Sequence, residues 1–234
     1  MAINIQKFDR KTYLQKIKFL IYGESGVGKT TFASTFPDPL FLDTEHGLAS
    51  LQSTVDYITI DNPKIMEEAI EFAKHTDKYQ TIVVDSVTRL QNVLMDNILE
   101  DYPDIKRPYD SLPTMNDYNK LIRDFTQYIY DLIALDKLVV LIGVNTAKSF
   151  EEDVIQPAFT GRMTSKLICA AVDMVGYMFK VLHEGETKHV LSFDMPNFVT
   201  KCRIAHNLPR LIQNPTYPKI LSYMEVQNGN QFGA

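Results

Sequence analysis

Cysteine is scarce: Cys169 and Cys202 are the only two among 234 residues. They form no C-x-x-C pair and no zinc-ligand spacing, and both sit in apolar or strand-like context. A disulfide scaffold and a zinc module are therefore excluded, and reduced, partly buried thiols are expected. No apolar run approaches the ~18 residues of a membrane span. The start, Met1 to Lys7, lacks the apolar core of a signal peptide. The expected location is the cytoplasm, with no membrane partner. Positive charge is not in excess either, since 24 Lys and Arg stand against 29 Asp and Glu, a formal net charge of -5. A grip on nucleic acid by the whole surface is thereby excluded. A local basic patch is not, because binding depends on where charge sits rather than on its sum.

What is present is ordinary globular material, 45% hydrophobic and 23% charged. Short apolar runs alternate with longer amphipathic stretches through the first two thirds. Lys18–Tyr22, Leu40–Asp43, Tyr57–Ile60, Thr81–Asp85 and Leu138–Val144 read as strands, β-branched or aromatic and nearly continuous, as strands buried on both faces are. Lys64–His75 and Asn116–Leu135 carry apolar residues at helical spacing. Strand and helix in alternation predict an α/β fold, a mostly parallel sheet with helices on both faces. Later, Leu167–Val181 reads as a helix running into a strand. Lys188–Phe193 and Asn197–Arg203 read as an antiparallel strand pair around the turn Asp194-Met195-Pro196-Asn197. One domain over 1–213 is expected, with a short N-terminal arm to about residue 15 and a polar tail over 214–234.

Directly after the first strand stands Gly23-Glu24-Ser25-Gly26-Val27-Gly28-Lys29-Thr30, a full G-x-x-x-x-G-K-T. Phosphates need a loop whose backbone N–H groups converge, and glycine lets the backbone curl without steric cost. Lys29 is predicted to reach the β- and γ-phosphates, and the Thr30 hydroxyl to ligate Mg²⁺. A helix from Thr31 to Phe36, stopped by Pro37, points its positive end at the anion. The candidate nucleotide contacts are thus Gly23, Glu24, Ser25, Gly26, Val27, Gly28, Lys29, Thr30 and Thr31. In Thr81-Ile82-Val83-Val84-Asp85-Ser86 an apolar strand ends in an acid at the carboxyl edge of the sheet, where ligands of such folds sit. Asp85 is the second candidate Mg²⁺ ligand; its alternative role is to cap the helix that starts at Ser86. A GTPase would need Asn-Lys-x-Asp, and the nearest run, Asn119-Lys120-Leu121-Ile122, lacks the acid. A hydrolase needs a group that orients water. The candidate is Glu45, in Phe41-Leu42-Asp43-Thr44-Glu45-His46-Gly47.

The segment Leu42 to Leu48, about a dozen residues past the phosphate loop, resembles the strand end of RecA-type recombinases, and the spacing onward to Ile82-Val83-Val84-Asp85-Ser86-Val87 is similar too. With Pro157 to Arg162, Ala171-Val172-Asp173 and Lys201-Cys202-Arg203, the chain resembles the compact phage-encoded RecA-like ATPases grouped with single-strand annealing proteins, over roughly residues 16 to 210. The resemblance implies a RecA-like P-loop NTPase core with a C-terminal antiparallel extension, and ATP and Mg²⁺ as cofactors. Glu45 is implied as the catalytic glutamate. Lys201 and Arg203, on one face of a late strand, are implied to reach the γ-phosphate of a neighbouring subunit; otherwise they are solvated charges. Asn145, after the fifth strand, is implied as a γ-phosphate sensor, although Thr146 stands where that family has glutamine; a turn asparagine is the alternative.

The implied partners are further copies of the chain, in a ring or filament with ATP between subunits, then single-stranded DNA, then single-strand-binding or replication proteins. DNA would meet two loops. One lies near 99–115, with Lys106, Arg107 and Tyr109 beside Glu100, Asp101 and Asp104. The other lies near 146–164, with Lys148, Phe150, Phe159 and Arg162 beside Glu151, Glu152 and Asp153. Compared with RecA itself the chain carries no sizeable flanking domain, which points to an accessory or annealing role. The expected function is a Mg²⁺-dependent ATPase acting on single-stranded DNA in a phage-type setting, in a bacterial host cell. The alternatives are a helicase-type motor and a nucleotide-gated loader with little turnover.

Overall fold

The structure, a computed structural model, describes residues 7–101, 112–146, 154–161, 163–205 and 207–225. The five apolar runs form parallel strands: β1 (Lys18–Tyr22), β2 (Pro39–Asp43), β3 (Asp56–Thr59), β4 (Thr81–Asp85) and β5 (Leu138–Gly143), of which β3, at the sheet edge, is exposed or half-buried and not covered on both faces as expected. In the sheet they stand in the order β3-β2-β4-β5-β1. Register brings their carboxyl ends level, with Asp43 beside Asp85, Asp85 beside Ile142, and Gly143 beside Tyr22.

Side chains alternate across the sheet with period two, and the core divides accordingly. Leu20, Tyr22, Leu42, Val84 and Leu141 face one side, and Phe19, Ile21, Phe41, Val83 and Val140 face the other. The first side is covered by α3 (Pro63–His75), α4 (Val87–Asp101) and α5 (Met115–Ile133). Their starts are written locally. Asn62 accepts from the Ile65 N–H with Pro63 in the first turn, and Thr114 and Asp117 form a reciprocal capping box. On the second side lie the short helices α1 (Arg10–Leu14) and α2 (Lys29–Ala33).

After α6 (Thr164–Ala171) the chain enters β6 (Met174–His183), which pairs parallel with β1 over Met174–Tyr177. Met178 to His183 then run on past the end of β1, roughly 20 Å at ~3.3 Å per residue. β6 turns back into β7 (Glu186–Ser192) through Glu184 and Gly185, both at positive φ (52° and 78°), a type I′ hairpin turn. The antiparallel extension is present, but its pairing differs from the sequence expectation. Residues 188–193 do not pair with 197–203. β7 pairs with β6 and with β9 (Ile212–Gln213), whereas β8 (Lys201–Cys202) pairs with the first residues of β6. The Asp194–Asn197 turn forms, but it delivers Phe198 and Val199 beside Ile155 instead of back along β7.

The expected polar tail over 214–234 is corrected only in its first half, since residues 226–234 lie outside the described residues. Tyr217–Glu225 forms a helix, α7, that buries Tyr217, Ile220 and Met224 against Phe36 and the second face of the sheet. The spacing of those three apolar residues is helical; Pro215 and Pro218 obscured it, yet a proline in a first helical turn forfeits no hydrogen bond.

Candidate nucleotide site

The loop after β1 can close only on glycine. At Gly23 (φ 156°) a Cβ would stand 2.1 Å from the Met178 carbonyl oxygen, so the loop passes hard against β6. Gly26 and Gly28 take φ of 75° and 95°, in the left-handed region that L side chains avoid. Lys29 folds back over this curl, donating from Nζ to the carbonyls of Gly23 (2.9 Å) and Glu24 (2.7 Å). It is buried, and desolvation lowers its pKa against the pull of Asp85, Glu45 and Glu24. An anion entering the loop would meet an ammonium already stripped of water and held in place.

The Thr30 hydroxyl donates to Asp85 Oδ2 at 2.6 Å, across 55 residues of sequence. Asp85 is 6% exposed, and burial pushes its carboxyl up to about 6, with Thr30 and Lys29 acting in the opposite sense. Among the described residues no three His, Cys, Asp or Glu side chains converge on a metal-binding point. Two adjacent oxygen groups beside a phosphate loop nonetheless suit Mg²⁺, which takes one or two protein ligands and fills its octahedron with phosphate and water.

Glu45 reaches the same place from β2. Thr44 stitches the ends of β2 and β4 together, its Oγ1 donating to Ser86 O (2.9 Å) and accepting from Ser86 N (2.8 Å). Asp43 Oδ1 accepts from the N–H groups of Glu45 (3.1 Å) and His46 (2.9 Å) and shapes the following turn. The Glu45 carboxylate thereby meets the Ser86 hydroxyl, which hydrogen-bonds to it.

These groups line one cleft of about 340 Å³, with Ser25, Gly26, Gly28, Lys29, Thr30 and Thr31 from the loop and helix, and Glu45, Asp85 and Ser86 from the strand ends. Ile142 and Val144 add an apolar floor, because β5 lies between the phosphate-loop strand and the Asp85 strand. Asn145 follows directly but is not part of the lining; its Nδ2 donates to the Thr146 carbonyl at 3.1 Å. A larger groove of about 510 Å³ between α3, α4 and α5 holds none of these residues. Its lining includes Glu67, Asp101, Asp124 and Asp131 with Lys120, so its charge repels a polyphosphate.

Lys201 and Arg203 are not in the cleft. β8 pairs at the amino end of β6, level with the amino end of β1, roughly 13 Å of strand away from the phosphate loop. Lys201 Nζ donates to the carbonyls of Cys169 (2.6 Å) and Ala170 (3.0 Å), and Arg203 donates to Ala170 O (2.6 Å). Both cations thus satisfy carbonyls at the end of α6, as basic residues at helix C-termini do. Of the two predicted DNA loops, Lys106, Arg107, Tyr109, Asp104, Lys148, Phe150, Glu151, Glu152, Asp153 and Arg162 lie outside the described residues. Phe159 is partly buried and packs on Phe125, with ring centroids 5.4 Å apart, so it serves the core.

One lining residue carries no sequence signal. His189 of β7 approaches from 162 residues downstream, its Nδ1 2.7 Å from the Val27 carbonyl. It sits on a short alternating strand with no motif around it, and only the hairpin brings it to the loop.

The family model for the AAA domain matches residues 15–204. The chain belongs to the AAA domain family. The match spans the phosphate loop, Glu45, Asp85 and the β8 cations, and accords with a P-loop nucleotide-binding domain of ATPase type. No curated protein matches the sequence. Among the described residues no helix is long and apolar enough to cross a membrane.

Proposed function

We propose that this AAA-domain protein is a Mg²⁺-dependent ATP hydrolase acting on single-stranded DNA in phage-type recombination or annealing. The observation that carries the hydrolase part is the convergence of Lys29, the Thr30–Asp85 pair and Glu45 in one cleft. Thr30 and Asp85 would hold Mg²⁺, which neutralises phosphate charge. Lys29 would exchange its two loop carbonyls for phosphate oxygens. Glu45, released from Ser86, would orient water for attack on the γ-phosphorus and take its proton as the bond to ADP breaks.

The oligomer and the DNA substrate rest on the RecA-like resemblance. In a ring or filament, Lys201 and Arg203 of one subunit would leave the α6 carbonyls and face the ATP of the next. Loss of the γ-phosphate would then loosen the interface and release DNA. One observation favours a second reading, a nucleotide-gated binding protein with little turnover: Glu45 and Lys29 are both engaged within the chain.

ATP turnover measured at fixed salt, with no polynucleotide and then with single-stranded DNA, duplex DNA or RNA, decides among these. The proposal predicts turnover that single-stranded DNA raises most. Tight ATP binding with no turnover under any condition supports the second reading, and equal rates in all arms remove DNA from the account.

A further inference from the structure

We infer that His189 is a nucleotide-specificity residue whose Nε2 accepts a hydrogen bond from a ribose hydroxyl of the bound triphosphate. The inference rests on the ATP-binding reading above and deepens it by assigning the nucleoside end of the cleft.

The tautomer follows from the partner. A carbonyl oxygen can only accept, so the 2.7 Å contact with Val27 O puts a proton on His189 Nδ1. In the neutral ring that leaves a lone pair on Nε2, which has no hydrogen-bond partner among the described residues. The ring is also fixed in place. A Cβ on Gly28 would stand 3.0 Å from its Nδ1 and 3.3 Å from the Met178 methyl, so the imidazole packs closely on the loop at a position where only glycine fits.

The sheet order gives the direction of the ligand. Asp85 ends β4 and Glu45 follows the end of β2 by two residues; the phosphate loop follows β1; His189 lies on β7, two strands beyond β1 on the other side. At ~4.8 Å per strand, the four steps from β4 to β7 carry the cleft from Asp85, past the loop, to His189 over roughly 19 Å, with Glu45 one strand further on the far side of Asp85. A triphosphate with its terminal phosphate at Asp85 and Glu45 therefore extends its nucleoside toward β7. The ring touches the last glycine of the loop, so the first group beyond the phosphates, the ribose, is the one it meets. A ribose hydroxyl can donate to a bare Nε2, whereas a phosphate oxygen, an acceptor, would be repelled by it.

The test is equilibrium binding of Mg-ATP, its 2′-deoxy and 3′-deoxy analogues, and inorganic tripolyphosphate to wild type, His189→Ala and His189→Asn. The asparagine amide replaces the Nδ1 donor to Val27 and removes Nε2, so loop support and ribose recognition separate. Wild type is expected to bind ATP about tenfold tighter than at least one deoxy analogue, as one net hydrogen bond gives. In His189→Asn that ratio is expected to fall to about one. If both variants weaken ATP and its analogues by the same factor and keep the ratio, His189 only supports the loop and the inference is overturned. Equal wild-type affinity for all three nucleotides overturns it too and leaves the ATPase reading standing. A wild type that binds neither ATP nor tripolyphosphate overturns both.

Discussion

Asp85 places a folding cost in the cleft. Its carboxyl is buried, and desolvation raises its pKa from 3.8 to about 6. The folded state therefore holds the proton to higher pH than the unfolded chain, and stability falls as pH rises from about 4 to about 6. Above that the full cost, roughly 3 kcal/mol for the two-unit difference, is present. Asp85→Asn removes this term, so without Mg²⁺ its stability relative to wild type should climb across that window and stay level above it. Urea unfolding at pH 4, 5, 6 and 8 measures the difference, and a flat one would show that Asp85 is not desolvated. At this scale the sequence was legible wherever chemistry is local. Gly23 to Thr30 is a contiguous motif, and Asp85 and Glu45 each end an apolar strand. His189 was not legible, because its place in the cleft lining comes from a tertiary contact that no spacing records.

Among the elements, those driven by continuous apolar runs could be read directly, including all five parallel strands and α3 and α5. The antiparallel third misled for a physical reason. Asp194 to Asn197 has the stronger turn composition, but Glu184-Gly185 has the backbone twist that matches a hairpin, and pairing followed the hairpin. The same region holds α7, whose prolines suggested a tail although Ile220 and Met224 are both fully buried. Ile220→Ala should cost about 2–5 kcal/mol and lower the melting temperature by roughly 5–20 °C. A thermal scan that moves by less than a degree would mean that α7 does not belong to the core.

For the whole molecule, the sheet separates two kinds of chemistry. The nucleotide groups gather at the carboxyl ends of the parallel strands, and Lys201 and Arg203 lie at the opposite end, on the α6 carbonyls. Within one chain those cations cap a helix; only a neighbouring copy could bring them to ATP. If they act between subunits, Arg203→Ala and Glu45→Gln each lose turnover, and a one-to-one mixture recovers about a quarter of it, from interfaces that pair the intact halves. No recovery, with a lowered melting temperature for Arg203→Ala, would leave them as capping residues. A net charge of -5 also confines any DNA contact to local patches. Beneath these questions stands one claim, that the cleft around Lys29 binds and hydrolyses ATP through Glu45. Its most direct test is ATP binding and steady-state hydrolysis by wild type, Lys29→Ala and Glu45→Gln in Mg²⁺. The account predicts loss of both in Lys29→Ala, and retained binding with turnover lowered about 10²–10⁴-fold in Glu45→Gln. Hydrolysis that survives both substitutions would contradict it.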